Sequence, residues 1–221
     1  MRTRAARPTA IRRALRAAAF GVLAAFASIA SLAAQSGAPA ARAADAFQTV
    51  HDIQDRFTIE VPAGWTITTS RGDPALEALA PPPESALPAS LDIIVRDLPM
   101  AISPETCIAE ASFVMRRGIP HYTTVARGPM RVGPLAGYSH VYVWPARTGE
   151  ERRSLQICVT VGRRVVVVIA TTGNVPARVR DDMPVLLRAI QTLRPVPPQQ
   201  PERPGGEHGM SRGVPRRGSS L

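Results

Sequence analysis

The chain has 221 residues and a formal charge of +10, and every one of its 27 basic residues is an arginine. Taken whole, that charge suggests a nucleic-acid partner, but its distribution excludes one. Seven arginines fall in residues 1–43, which hold no acid, and four fall in 195–221; residues 44–194 then carry 16 arginines against 15 acids, too balanced for the basic face that such binding needs.

Residues 1–16 combine Arg2, Arg4, Arg7, Arg12, Arg13 and Arg16 with no acid, and an apolar run from Ala17 to Ala34 follows. A small-residue stretch ending in "AARAAD" completes the order of a secretory signal peptide, with cleavage expected after Ala43 and Ala33 as the alternative site. An uncleaved anchor is the competing reading, because the run just reaches the length of a bilayer span. Its Ala- and Ser-rich composition favours the signal, so no stable membrane insertion of the mature chain is expected. The "IRRALR" stretch at 11–16 is a weak twin-arginine pattern. No cysteine precedes Cys107, so a lipid-anchoring cysteine is missing. These features place the protein in a bacterial periplasm or outside the cell.

Within "RFTIEVPAGWTI", Phe57, Ile59 and Val61 alternate with polar residues, and Trp65 and Ile67 resume the alternation. The pattern predicts a hairpin whose Val61-Pro62-Ala63-Gly64 stretch fits a type I turn. A Pro-rich loop at 80–88 leads into a strand at "SLDIIVRDL". Residues 103–118 read as a helix: Ser103 can cap it, Pro104 suits its first position, Glu105 and Arg116–Arg117 complement its ends, and Gly118 stops it. Cys107, Ile108, Ala111, Val114 and Met115 fall on one arc, with Phe113 outside it.

Strands follow at 135–144, 153–161 and 164–171, joined by turns at 148–150 and 162–163. "VVVVIA" is apolar on both faces, so the last of these strands should be central and covered on both sides. Residues 177–193 place Val179, Met183, Leu186, Ile190 and Leu193 on a helical stripe. Pro184 inside it leaves the Arg180 carbonyl unpaired, which predicts a kink or a start near Asp182. Residues 195–221, rich in Pro, Gly and Arg, are too poor in apolar groups to offset chain entropy and read as a disordered tail. A single domain over 44–194 remains.

Strands, a helix, more strands and a C-terminal helix make an α+β domain: a mainly antiparallel sheet flanked by helices on both faces, an α/β/α sandwich. That order, with "F-x-I-x-V-P-x-G-W" near the start and "VVVVIATT…LLRAIQTL" near the end, resembles the Mog1/PsbP-like group over residues 47–194. Its small exported bacterial members are the nearest in pattern. The group includes photosystem II extrinsic subunits and a Ran-binding protein, so the resemblance implies a scaffold for binding and no fixed chemistry.

Cys107 and Cys158 in an exported chain suggest a disulfide, with two separate buried thiols as the alternative. The bond requires the first helix to pack on the Cys158 face of the sheet and the last helix on the other. Tyr138, His140, Tyr142 and Trp144 alternate along one strand and share a face. They form either the packing surface beneath a helix or an amphipathic platform for a ligand ring or a partner's side chain. With Phe113 they are the candidate binding residues.

Catalytic signals are poor. "GYSHV" lacks the second Gly of a nucleophile elbow, and Ser139 and His140 are adjacent in a strand and so face opposite ways. His51, Asp52 and Asp55 lack a fourth metal ligand, His121 and His208 have no partner of note, and there is no phosphate loop or HExxH pattern. The sequence thus leads to an exported, non-enzymatic binding or assembly module, with no cofactor or metal and with a protein partner in the cell envelope. An envelope carrier or enzyme using the Tyr138/His140/Tyr142/Trp144 face is the alternative.

Overall fold

A computed structural model describes residues 46–83 and 86–198. The expected signal peptide and all but the first residues of the expected tail lie outside the described residues.

Seven antiparallel strands form the main sheet. They are β3 (Thr66–Thr69), β4 (Leu76–Leu79), β5 (Ser90–Asp97), β6 (Thr123–Val132), β7 (Leu135–Pro145), β8 (Glu151–Val161) and β9 (Arg164–Gly173), in the order β3-β4-β5-β9-β8-β7-β6. Strand β9, whose 165–170 run is apolar on both faces, takes the middle place and is buried along its whole length, as a run without a polar face requires. A small second sheet pairs β1 (Phe47–His51), β2 (Phe57–Pro62) and β10 (Arg194–Pro195). The Val196 amide extends that pairing to the Arg56 carbonyl at 2.7 Å, so the domain runs past the expected boundary at 194.

The helix α1 (Pro104–Gly118) covers one face of the main sheet and α2 (Pro176–Gln191) the other. On the α1 side, Cys107 and Ile108 pack on Ile94, Leu98, Cys158, Val165, Val167 and Ile169. On the α2 side, Leu186, Ala189, Ile190 and Leu193 share a larger core with Leu91, Ile93, Val166 and Val168 of the sheet and Phe57, Ile59 and Val61 of β2. Each such fully buried aliphatic or aromatic side chain contributes about 1.5–3 kcal/mol. The architecture is the expected α+β sandwich.

Two sequence expectations are corrected. Residues 57–62 and 66–69 do not pair with each other: β2 pairs with β1 and β10, and β3 pairs with β4. The turn between them lies one residue later than expected. The Trp65 amide donates to the Pro62 carbonyl at 3.4 Å, with Gly64 in its third position at φ +83°, a conformation that glycine adopts freely. The last helix begins at Pro176, with Val179 N donating to the Val175 carbonyl at 3.0 Å, and continues through Pro184. Pro184 and Arg180 are both exposed, so water can satisfy the carbonyl that the proline ring leaves unpaired.

Candidate functional site

The α1 end of the structure follows from local chemistry. Ser103 caps the helix by accepting from the Thr106 amide at 3.1 Å. Cys107 and Ile108 turn inward in the first turns, and one turn later the buried residue is Ser112. Ala111 and Val114, expected on the apolar arc, are only half-buried. The helix therefore lies rotated toward Ser112, which brings a hydroxyl over the sheet above β7.

Cys107 and Cys158 form a disulfide, with Cα atoms 6.3 Å apart. It meets the parity condition: α1 packs on the Cys158 face and α2 on the opposite one. The bond fixes α1 against β8 directly beside the aromatic row.

Tyr138, His140, Tyr142 and Trp144 do share that face, but they are not an open platform. His140 is 0% exposed and Tyr142 is 2% exposed. Trp144 is half-buried, with its indole N–H donating to Ser154 Oγ at 2.9 Å. Tyr138 is half-buried against the α1 core. Tyr122, from the loop after α1, lies across the row, its ring 5.8 Å from His140 and 5.0 Å from Tyr142 between centroids.

His140 is held on every side. Ser112 Oγ is 2.9 Å from Nδ1, Thr124 Oγ1 is 3.1 Å from Nε2, and the Tyr122 hydroxyl is 3.1 and 3.0 Å from the two nitrogens. Ser112 donates its one proton to the Ile108 carbonyl at 2.7 Å. Its oxygen is then an acceptor, so the network assigns the neutral ring's proton to Nδ1 and leaves Nε2 to accept from a hydroxyl. Burial, with Arg127 and Arg116 nearby, brings the His140 pKa down to about 4. The ring is thus neutral at ordinary pH. Burial likewise raises the Tyr142 and Tyr122 hydroxyls above their ordinary range.

The same face carries a buried polar row beyond α1. Ser154 Oγ lies 2.9 Å from Thr171 Oγ1, and Ser90, Asp92 and Gln156 are buried beside them. Glu77 and Asp92 sit opposite each other on β4 and β5. Burial, helped by the Glu77 charge, pushes the Asp92 carboxyl up to about 7. Ser90 reaches it only at 3.5 Å. Gln156 Oε1 is buried without a hydrogen-bond partner among the described residues.

The remaining sequence candidates separate. Asp52 is buried and clasped by Arg56, at 2.6 Å from Nε to Oδ2 and 2.9 Å from Nη2 to Oδ1, while exposed His51 lies in β1. Among the described residues, no three His, Cys, Asp or Glu side chains are grouped to hold a metal. Phe113 is 42% exposed and lies under the Arg117 guanidinium, 4.4 Å from the ring centroid; Val95 faces the α2 side and shares no patch with it. Sequence reasoning missed Ser112, Tyr122 and Thr124, the partners of His140. Only the position of Ser112, one turn beyond Ile108, signalled any of them.

Neither a protein-family model nor a curated protein matches the sequence. Solved structures do match the fold. LpqN of Mycobacterium tuberculosis, involved in cell envelope biogenesis, is 15% identical, with a TM-score of 0.50 over 69% of this chain and 91% of its own. The cyanobacterial PsbP of Synechocystis is 10% identical, with a TM-score of 0.50 over 73% and 98%. The Ran-binding protein Mog1p of Saccharomyces cerevisiae is 10% identical, with a TM-score of 0.51 over 69% and 96%. The domain has the Mog1/PsbP-like fold. Among the described residues, no helix is long and apolar enough to cross a membrane.

Proposed function

We propose that this protein is an exported, non-enzymatic binding module that docks a protein partner in the cell envelope. The observation that carries the reading is the commitment of His140. Among the described residues it is the one histidine in the core, its nitrogens are bonded inside the fold, and its neighbour Ser112 sends its proton away from the ring. A serine activated by histidine needs the opposite arrangement, with the hydroxyl donating to the base and the base oriented by a third group. Here the third position is filled by the Thr124 and Tyr122 hydroxyls. The disulfide fits an oxidising compartment, and the fold is one that in Mog1p serves binding to Ran. LpqN adds an envelope precedent.

The test is crosslinking and co-purification of the tagged full chain from its own cell envelope. Repeated recovery of one near-stoichiometric partner supports the module. Repeated recovery of the protein alone overturns it. A second reading, a carrier of a small polar ligand, is favoured by the unpartnered Gln156 Oε1 and the loosely held Asp92. It predicts a small molecule that survives purification and is lost in Gln156→Leu.

A further inference from the structure

Six of the 16 arginines in residues 46–198 pair with an acid: Arg56 with Asp52, Arg96 with Asp73, Arg152 with Glu150, Arg164 with Asp97, Arg178 with Asp182 and Arg180 with Asp181. Arg116, Arg117 and Arg127 are among those with no acidic partner among the described residues, and all three are exposed.

They also gather at one place. Arg116 stands four residues beyond Ser112, on the same side of α1, so it projects one turn past the hydroxyl that meets His140 Nδ1. Arg127 reaches the other side of that ring: its Nη2 is 3.4 Å from Thr124 Oγ1, which is 3.1 Å from Nε2. Both charges act on His140 and Tyr122. Arg117 lies over Phe113 on the adjoining stripe of the helix. The macrodipole accounts for Arg116 and Arg117 at a helix C-terminus. It accounts neither for Arg127 on the edge strand β6 nor for an exposed phenylalanine one turn before Arg117.

We infer that Arg116 and Arg127, flanking Tyr122 and Thr124 with Phe113 beside them, form a docking surface for an acidic segment of a partner protein. A carboxylate would sit between the two guanidiniums, which fork onto it, and an apolar side chain would cover Phe113. Charge complementarity selects this occupant. The chain's own ends are poor alternatives, since residues 1–43 hold seven arginines and no acid and residues 195–221 hold four arginines against two acids. A second copy related by a twofold axis through this patch would set arginine against arginine.

The inference rests on the binding-module reading, and two arms separate their failures. In the first, a fluorescein-labelled peptide with glutamates on both sides of one phenylalanine is titrated into the full chain. Saturable binding is expected, weakened about tenfold or more in Arg116→Gln/Arg127→Gln and about twofold or less in the control pair Arg71→Gln/Arg147→Gln. It should also fall as salt rises through the range where the Debye length shrinks below about 10 Å. Unchanged melting temperatures certify that the variants fold. Equal affinity for both pairs, or no saturable binding, overturns the inference. So does loss in the same variant of binding to phosphatidylglycerol vesicles without peptide binding, or loss of a self-association seen by sedimentation; these assign the surface to a membrane or a second copy. In the second arm, a partner recovered from the envelope equally by wild type and Arg116→Gln/Arg127→Gln overturns the surface and leaves the module standing. Peptide binding that follows the arginines, with no envelope partner, does the reverse.

Discussion

Ser112 Oγ accepts from His140 Nδ1 at 2.9 Å while donating to the Ile108 carbonyl at 2.7 Å. A serine that back-bonds to its own helix is free to receive a proton but has none to give, and that fixes the tautomer of the histidine. Ser112→Ala leaves the Nδ1 proton buried with only the Tyr122 hydroxyl in reach. The expected loss is about 1–3 kcal/mol, read from urea unfolding at neutral pH. Ser112→Ala with His140→Phe removes both partners and should recover part of it. A double mutant that loses the plain sum of the two single effects would mean the contact carries no coupling.

His140 also makes a prediction about acid. Its folded pKa, about 4, lies below the unfolded value near 6.5. Between those values the unfolded chain binds a proton that the native chain refuses, so the contribution of His140 to stability falls as pH drops from about 6.5 to about 4 and levels off below. The lost contribution should be about 3 kcal/mol. In an Asp92→Asn background, where no opposing titration masks it, His140→Asn should erase this slope in a series of denaturation curves across that range.

Asp92 has the opposite sign. Its folded pKa, about 7, lies above the ordinary 3.8. The native state holds a proton that the unfolded state has released, so this group favours the fold below about 4 and loses that contribution as pH rises toward about 7. The two slopes overlap and oppose each other. Wild-type stability should therefore be nearly flat between about pH 4 and 6.5. Asp92→Asn should unmask the histidine slope and be more stable than wild type near neutrality; His140→Asn should unmask the aspartate slope. A wild-type profile as steep as either variant's would sink the pairing.

Legibility in the sequence followed the range of the forces involved. α1 was readable because its cap, its dipole charges and its apolar stripe are all local, and β9 because an apolar strand can only be central. Phe57, Ile59 and Val61 announce which face of β2 is buried, but alternation says nothing of which strand it pairs with, and β2 and β3 part into different sheets. β6 gave no such signal: Thr123, Thr124, Val125, Ala126 and Arg127 are all exposed, and an edge strand with little to bury carries little pattern. The aromatic row was found by its period of two. Packing beneath a helix was one of the two readings that period allowed, but the partners of His140 were not legible, because they come from α1, β6 and the loop at Tyr122, between 16 and 28 residues away from it. The basic patch was hidden by the same distance, since Arg116 and Arg127 meet only through the packing of α1 on the sheet.

The disulfide gives the last prediction, because it ties that packing together. Cys107 and Cys158 are 51 residues apart in sequence, and closing a loop of that size removes chain entropy worth about 4 kcal/mol in the unfolded state, commonly less in practice. The larger core lies on the α2 face, where β9, β8 and β5 pack under Leu186 and Ile190, and it does not depend on the bond. Reduction, or Cys107→Ala/Cys158→Ala, should therefore lower global stability by about 2–4 kcal/mol while loosening α1 first. Hydrogen exchange reads both effects: amides of residues 108–118 should lose protection at reductant levels that leave residues 165–170 protected. His140 should then gain access to water as Ser112 and Tyr122 move off it, and its pKa should rise toward 6.5 in the reduced protein, as followed by its ring proton signals. Simultaneous loss of protection in α1 and β9 would show instead that the two faces unfold as one unit.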